Sequence, residues 1–487
     1  MSQPTRPNIL WICTDQQRHD TLGCYGNPYV HSPRIDSLAR NGLLFENAFC
    51  QSTVCSPSRA SFLTGRYPRA TRCRQNGQAI PDDEILVTRL LADAGYFCGL
   101  SGKLHLSPCH PKVAPIRERR INDGYTCFHW SHHHYASNPW PSDEYYLWLA
   151  SQNIRYHAKP IPQCPHVTLS MPAEYHQTTW CAQKAIDFMQ VAAEHKTPWF
   201  FSVNIFDPHH DFDPPEELFN RYLKKLDQIP LPNYVPGELD NKPPFQKVDH
   251  LGNNSDIDST QMSPDEHRII RAAYWAMCDL IDMQVGRMID ALKQTNQLDN
   301  TIIIFMSDHG EMLGDHGIYL KGPHMYDPAV HIPLIISNPK LFPARRTAAL
   351  TELTDLAPTI LELAGLPIHP GMQGRSLLPL LRGGGGRTSS HRDDVYCEYY
   401  NAMTKHPEKP FATMLRTAGE KLIRYHSLAQ GVSWGGGELY DLTNDPTETR
   451  NLYADPAFQS LKTRLLERLC DRMAETVDPL PLRQSSW

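Results

Sequence analysis

Five short runs of β-branched and aromatic residues alternate with longer helical patterns, and that alternation confines the chain to an α/β fold with a largely parallel sheet. The runs are Asn8–Thr14 (NILWICT), Tyr96–Ser101 (YFCGLS), Trp199–Ile205 (WFFSVNI), Thr301–Ser307 (TIIIFMS) and His331–Ser337 (HIPLIIS). Ile85–Ala94 and Glu266–Thr295 read as helices between them. Each of the first four runs ends directly in polar residues. Ligands bind at the carboxyl ends of strands in open α/β sheets, so Asp15, Lys103, His105, Asp207, His209 and Asp308 are expected to meet at one edge.

With 487 residues the chain accommodates a large domain and a smaller companion. The expected division is a catalytic α/β domain over 1–382, a Gly-rich linker over 383–392, and a small α+β domain over 393–487. Strand-like pieces at Val395–Tyr400, Phe411–Arg416, Lys421–His426 and Glu438–Leu442, then a helix near Pro456–Glu475, build that second part. Two irregular stretches, Pro108–Pro165 and Pro230–Ser263, interrupt the pattern and are expected to wall a substrate pocket.

A formal charge of −6 without long basic runs excludes nucleic acid and an anionic membrane surface as expected partners. The thirteen cysteines include no Cys-x-x-Cys pair, which argues against a disulfide framework or structural zinc and for a reducing compartment. The apolar run nearest the N-terminus spans only Asn8–Thr14, too short for a signal-peptide core or a membrane span, so a cytoplasmic location is expected.

The most informative segment is Cys55-Ser56-Pro57-Ser58-Arg59, continued by Ala60-Ser61-Phe62-Leu63-Thr64-Gly65-Arg66. Pro57 suits the first turn of a helix, which puts Cys55 at or just before a helix N-terminus. Free backbone N–H groups and the helix dipole favour an anion there, and Arg59, one turn on, adds a cation with bidentate geometry. A nucleophile beside an anion site is the implied arrangement.

The twelve residues from Cys55 to Arg66 resemble the signature of the sulfatase family. The resemblance implies that Cys55 is oxidised to formylglycine by a formylglycine-generating enzyme. It also implies that the hydrated aldehyde attacks sulfur with one hydroxyl and expels sulfate through the other. Asp15-Gln16 and Asp308-His309 stand where the family carries its metal ligands, with position 55 completing the set. Many members have Asp where this chain has Gln16 and Asn where it has His309. Ca2+ is the expected ion, with Mn2+, Mg2+ and Zn2+ as alternatives, of which an imidazole ligand suits Mn2+ and Zn2+. The Asp-Gln and Asp-His variants also occur in choline sulfatases and phosphonate monoester hydrolases.

Further positions match the family's catalytic set. Gly102-Lys103-Leu104-His105 resembles its Gly-Lys-x-His element, in which the Lys contacts sulfate and the His acts as a base on the intermediate. Pro208-His209-His210-Asp211-Phe212-Asp213-Pro214-Pro215 resembles another element and makes His209 the implied general acid, with His210 as the rival in register. Lys321, thirteen residues after Asp308, matches the lysine between sulfate and leaving oxygen, and Asn76 resembles a polar substrate contact of the phosphonate-hydrolase branch. His129, His132, His133 and His134 fit no standard ligand spacing and read as part of an aromatic lid or oligomer contact.

The implied fold is an alkaline-phosphatase-like α/β/α sandwich with a smaller C-terminal domain on an antiparallel sheet. The implied activity is hydrolysis of a small-molecule or carbohydrate sulfate ester, with a phosphonate monoester or phosphodiester as the alternative substrate and a non-catalytic binder of sulfated ligands as the remote one. Oligomeric state is left open.

Overall fold

The structure, a computed structural model, describes residues 6–133, 140–383, 390–403, 406, 409–426, 436–483 and 485. Its strands are β1 Asn8–Thr14, β2 Gly42–Phe49, β3 Phe97–Gly102, β4 Cys127–Trp130, β5 Lys159–Ile161, β6 Cys164–Leu169, β7 Trp199–Ile205, β8 Thr301–Ser307, β9 His331–Ile332, β10 Leu334–Ser337 and β11 Arg345–Glu352. The large sheet runs β11-β2-β10-β8-β1-β7-β3-β4, with β9 beside β2, while β5 and β6 form a separate hairpin.

Alternate residues of the central strands enter two different cores, as the twofold side-chain period of a strand requires. Ile9, Trp11 and Cys13 of β1 join Ile302, Ile304 and Met306 of β8 on one face, under Phe62 and Leu63 of helix Cys55–Thr64 and Ile360 of helix Leu356–Leu363. Leu10, Ile12, Ile303 and Phe305 point to the other face, under helix Gln177–Ala193 and helix Pro264–Gln294. This is the α/β/α sandwich expected. The Pro264–Gln294 helix starts where Ser263 and Glu266 form a reciprocal cap.

Strand register sets the site. β1 lies parallel to β7 and β8 with Thr14 level with Ile205 and Ser307, so the residues that follow emerge side by side. The ladder continues one step further: Asp308 N donates to Thr14 O (3.1 Å), Asp15 N to Asp207 O (3.3 Å) and Lys103 N to Asn204 O (3.0 Å). Gly102, at φ +93°, makes that last approach possible, because a Cβ there would lie 2.0 Å from Asn204 O.

The run His331–Ser337 is not one strand. Pro333 lacks an N–H and divides it into β9 and β10, and β10 runs antiparallel to both β8 and β2. β2 and β11, parallel to each other, were not visible as strands because Glu46 and Asn47 interrupt the apolar run of the first and Arg345 and Arg346 open the second. The two irregular stretches also hold structure: β4, β5 and helix Glu144–Ser151 in the first, helix Pro244–His250 in the second.

The C-terminal sheet is antiparallel, β12 Val395–Tyr400, β13 Phe411–Arg416, β14 Glu420–His426 and β15 Gly437–Asp441, and helix Gln459–Glu475 covers it through Leu465 and Leu469. A buried polar joint ties it to the main sheet: Glu352 accepts from Tyr396 N (2.8 Å), Arg472 Nη2 (2.6 Å) and Tyr67 Oη. Of the expected linker, residues 384–389 lie outside the described residues, as does His134. No helix among the described residues is long and apolar enough to cross a membrane.

Candidate active site

Helix Cys55–Thr64 begins at Cys55, and all ten of its residues are buried. Val54 offers no side-chain cap, so the first-turn amides need an acceptor from elsewhere. Asn76 supplies it, its Oδ1 accepting from Ser56 N at 3.0 Å. The structure thus places Asn76 beside Cys55, holding the helix end. Gly65 closes the helix at φ +68°.

Around the Cys55 sulfur the strand ends deliver their side chains. His309 Nε2 is 3.2 Å away, Lys103 Nζ and Lys321 Nζ are each 3.4 Å away, and Asp15 Oδ1 is 3.6 Å away. Burial and the Asp15 carboxylate push the thiol up, but Lys103, Lys321 and His309 outweigh them and bring it down to about 6. Position 55 is therefore a place that favours negative charge.

Arg59 is the brace beneath it. Its Nε donates to Asp308 Oδ2 (2.9 Å), its Nη2 to Asp15 Oδ2 (3.1 Å) and its Nη1 to Lys103 O (2.8 Å). Lys103 Nζ also reaches Asp15 Oδ2 at 2.5 Å. Against burial, Lys103, Arg59 and Lys321 hold the Asp15 carboxyl well below the usual carboxylate range. Asp308 goes the other way, pushed up by burial and by the neighbouring Asp15 charge. A further cation at Asp308 would relieve that imbalance.

The donor set fits such an ion. Asp15, Cys55, Asp308 and His309 each present a ligand atom within 4.8 Å of the others, all buried. Two carboxylates, one imidazole and the group at position 55 suit a divalent cation. Gln16 sits beside this group with its backbone at φ 66°, and its amide N donates to Asp308 Oδ1 (3.0 Å). Its carboxamide Oε1 accepts from Lys321 Nζ and its Nε2 donates to Glu311 Oε2.

Both histidines of the Pro-His-His segment reach the site, with their rings stacked at 4.0 Å between centroids. His210 Nδ1 lies 3.5 Å from Gln16 Nε2, and His209 Nδ1 pairs with the His210 carbonyl. That bond keeps the proton of neutral His209 on Nδ1 and leaves a lone pair on Nε2. Burial, then Lys321 and His210, push His209 well below its ordinary value.

Three groups have no signal in local sequence pattern. Glu311 accepts from Leu313 N (2.9 Å) and Leu320 N (2.5 Å), folding the loop that delivers Lys321. Asn254, in the second irregular stretch, donates to Lys321 O. Glu118, in the first, accepts from His105 N, Leu106 N (both 2.9 Å) and Trp130 Nε1 (2.8 Å). It holds His105 at φ 58°, a conformation a non-glycine residue adopts only under constraint. Glu118→Gln puts an NH2 against one of these donors. A lost bond to a buried charged group is worth about 1.5–3 kcal/mol, so kcat is expected to fall about tenfold or more with KM little changed. Unchanged steady-state kinetics would remove Glu118 from this role.

Comparison with known proteins identifies the family. The Sulfatase family model matches residues 7–366, and a model described as N-sulphoglucosamine sulphohydrolase, C-terminal, matches residues 314–475. An arylsulfatase of Clostridium perfringens is 29% identical over 466 residues, covering 92% of this chain and 90% of the relative. Human iduronate 2-sulfatase is 32% identical over 404 residues, 74% of this chain and 70% of the relative. Among solved structures, the phosphonate monoester hydrolase of Agrobacterium radiobacter superposes with a TM-score of 0.80 at 25% identity, over 98% of this chain and 97% of that one. The architecture is accordingly alkaline-phosphatase-like. With the signature helix in place at the strand ends and the family match running through most of the large sheet, the chain belongs to the sulfatase family and is an enzyme of that family.

Proposed function

We propose that the chain hydrolyses a sulfate monoester to an alcohol and inorganic sulfate, with a formylglycine derived from Cys55 as nucleophile. The observation that carries this is the convergence of Lys103, Lys321 and His309 on one buried sulfur at 3.2–3.4 Å. Such a cradle suits a reacting centre bearing a single negative charge, which is what a sulfate monoester presents.

Oxidation of Cys55 by the formylglycine-generating enzyme gives the aldehyde, and addition of water turns it into a geminal diol, one hydroxyl of which attacks sulfur while the other expels sulfate as the aldehyde re-forms. Asp15, Gln16, Asp308, His309 and the position-55 oxygen would hold a divalent ion, Ca2+ by preference, which would acidify the nucleophile and offset charge on the sulfate oxygens. Lys103 and Lys321 bind the non-bridging oxygens, with Lys321 on the leaving-group side where Gln16 orients it. Arg59 fixes both carboxylates and so fixes where sulfate sits. His209, protonated once the substrate's charge is present, donates to the departing alkoxide. His105 accepts the proton when sulfate is released.

A phosphonate monoester is the second reading. It presents the same single charge, and the likeness to a phosphonate monoester hydrolase extends over nearly the whole of both chains. The deciding experiment is kcat/KM for a nitrophenyl sulfate against a phenylphosphonate ester on converted, metal-loaded enzyme. A higher value for the sulfate is expected. A higher value for the phosphonate would reassign the activity.

A further inference from the structure

A second group of metal-ligating side chains lies beside the catalytic cluster. His105, Cys109 and His132 each present a ligand atom within 4.8 Å of the others. The sheet brings them together: β3 and β4 are parallel neighbours with Gly102 level with Trp130, and Ser131 N donates to Gly102 O at 3.2 Å. His105 and Cys109 follow β3, and His132 follows β4. The two imidazoles meet edge to face with centroids 4.6 Å apart. All three residues are less than 10% exposed.

Two ring nitrogens here have no hydrogen bond among the described residues, His105 Nδ1 and His132 Nε2. Each is buried, and a buried polar nitrogen left alone is a standing expense in stability that a ligand removes. His132 Nδ1 faces His133 Nδ1 at 2.5 Å, which leaves Nε2 as its outward ligand atom. The thiol of Cys109 completes a soft donor set: two imidazoles and one sulfur choose Zn2+ or Co2+ over Ca2+ or Mg2+. Glu118, hydrogen-bonded to His105 N, adds a carboxylate nearby that offsets the charge of a dication.

We propose that His105, Cys109 and His132 form a second metal site, selective for Zn2+ or a similar thiolate-seeking divalent ion, whose occupation stops hydrolysis by taking the His105 imidazole out of the reaction. Binding replaces the Cys109 S–H bond with an S–Zn bond and releases that proton to solvent. The oxygen-rich Asp15 and Asp308 cluster keeps its own ion, so the two sites differ in the metal each prefers. The inhibitory half rests on the reading of His105 as a base in the reaction; the metal-binding half does not.

Two measurements separate those halves. In Cys55→Ala protein, Co2+ titration is expected to give a thiolate-to-cobalt absorption band saturating at one equivalent, displaced by Zn2+ and absent when Cys109→Ser is added. No band, or a band that survives Cys109→Ser, would overturn the site; thermal melting of the double variant checks that it is folded. In converted enzyme saturated with Ca2+, Zn2+ is expected to lower kcat at least tenfold. Cys109→Ser should keep basal kcat while shifting the inhibitory Zn2+ concentration at least tenfold upward. A Cys109-dependent band together with zinc-insensitive turnover would overturn the inhibitory role and remove the proton-accepting function from His105.

Discussion

Cys55→Ala is expected to abolish turnover, by on the order of 10^4-fold or more, as loss of a covalent nucleophile does elsewhere. The fold should survive. The sulfur touches Lys103, Lys321 and His309, but Asp15 keeps both Lys103 and Arg59 as partners without it. Loss of one small buried group is worth about 1 kcal/mol, a shift of roughly 2 °C in a chain of this size. Steady-state assay with an aryl sulfate and thermal melting measure the two halves. Measurable catalysis by the alanine variant would sink the covalent mechanism, and a collapsed melting curve would show that the thiol is structural.

Arg59→Ala is expected to fail in the opposite way, losing stability together with activity. The guanidinium is 1% exposed and joins two buried carboxylates that come from strands almost three hundred residues apart. Removing one partner of a buried ion pair is destabilising by about 3–5 kcal/mol because the remaining charge stays out of water. A divalent ion binding the same carboxylates should restore part of it, about 2.7 kcal/mol at a hundred times its dissociation constant. Denaturant unfolding with and without Ca2+ or Mn2+ tests this. An Arg59→Ala protein as stable as the parent without metal would show that the brace is not needed. Arg59→Lys should rescue little, since one ammonium cannot span both carboxylates in the plane that the guanidinium occupies.

The parts of the fold that were legible in sequence are those where burial is uninterrupted. β1, β7 and β8 are covered on both faces, so NILWICT, WFFSVNI and TIIIFMS show their full lengths as apolar runs. The direction of β10 was not legible, because whether a strand runs with or against its neighbours depends on the path of the preceding loop and not on its own residues. In the site, Asp15, Lys103 and Asp308 could be placed because they directly follow strands. His209 could be placed at the sheet edge in the same way, but its role, like the place of Lys321, came only through resemblance. Glu118, Glu311 and Asn254 stayed hidden because each acts through bonds that exist only once a loop has folded, which leave no local period. Asn76 shows the converse: resemblance made it a substrate contact, while its bond to Ser56 N required the folded chain.

The complete burial of helix Cys55–Thr64 has a consequence for how an active molecule is made. On the proposed reading, the enzyme that oxidises Cys55 must grasp that segment while it is still extended, because in the folded chain the side chain is 1% exposed and walled in by three strand ends. A molecule that folds first keeps its thiol. The active fraction of any preparation is then decided during synthesis, by competition between folding and oxidation, and belongs to the history of the host cell as much as to the sequence.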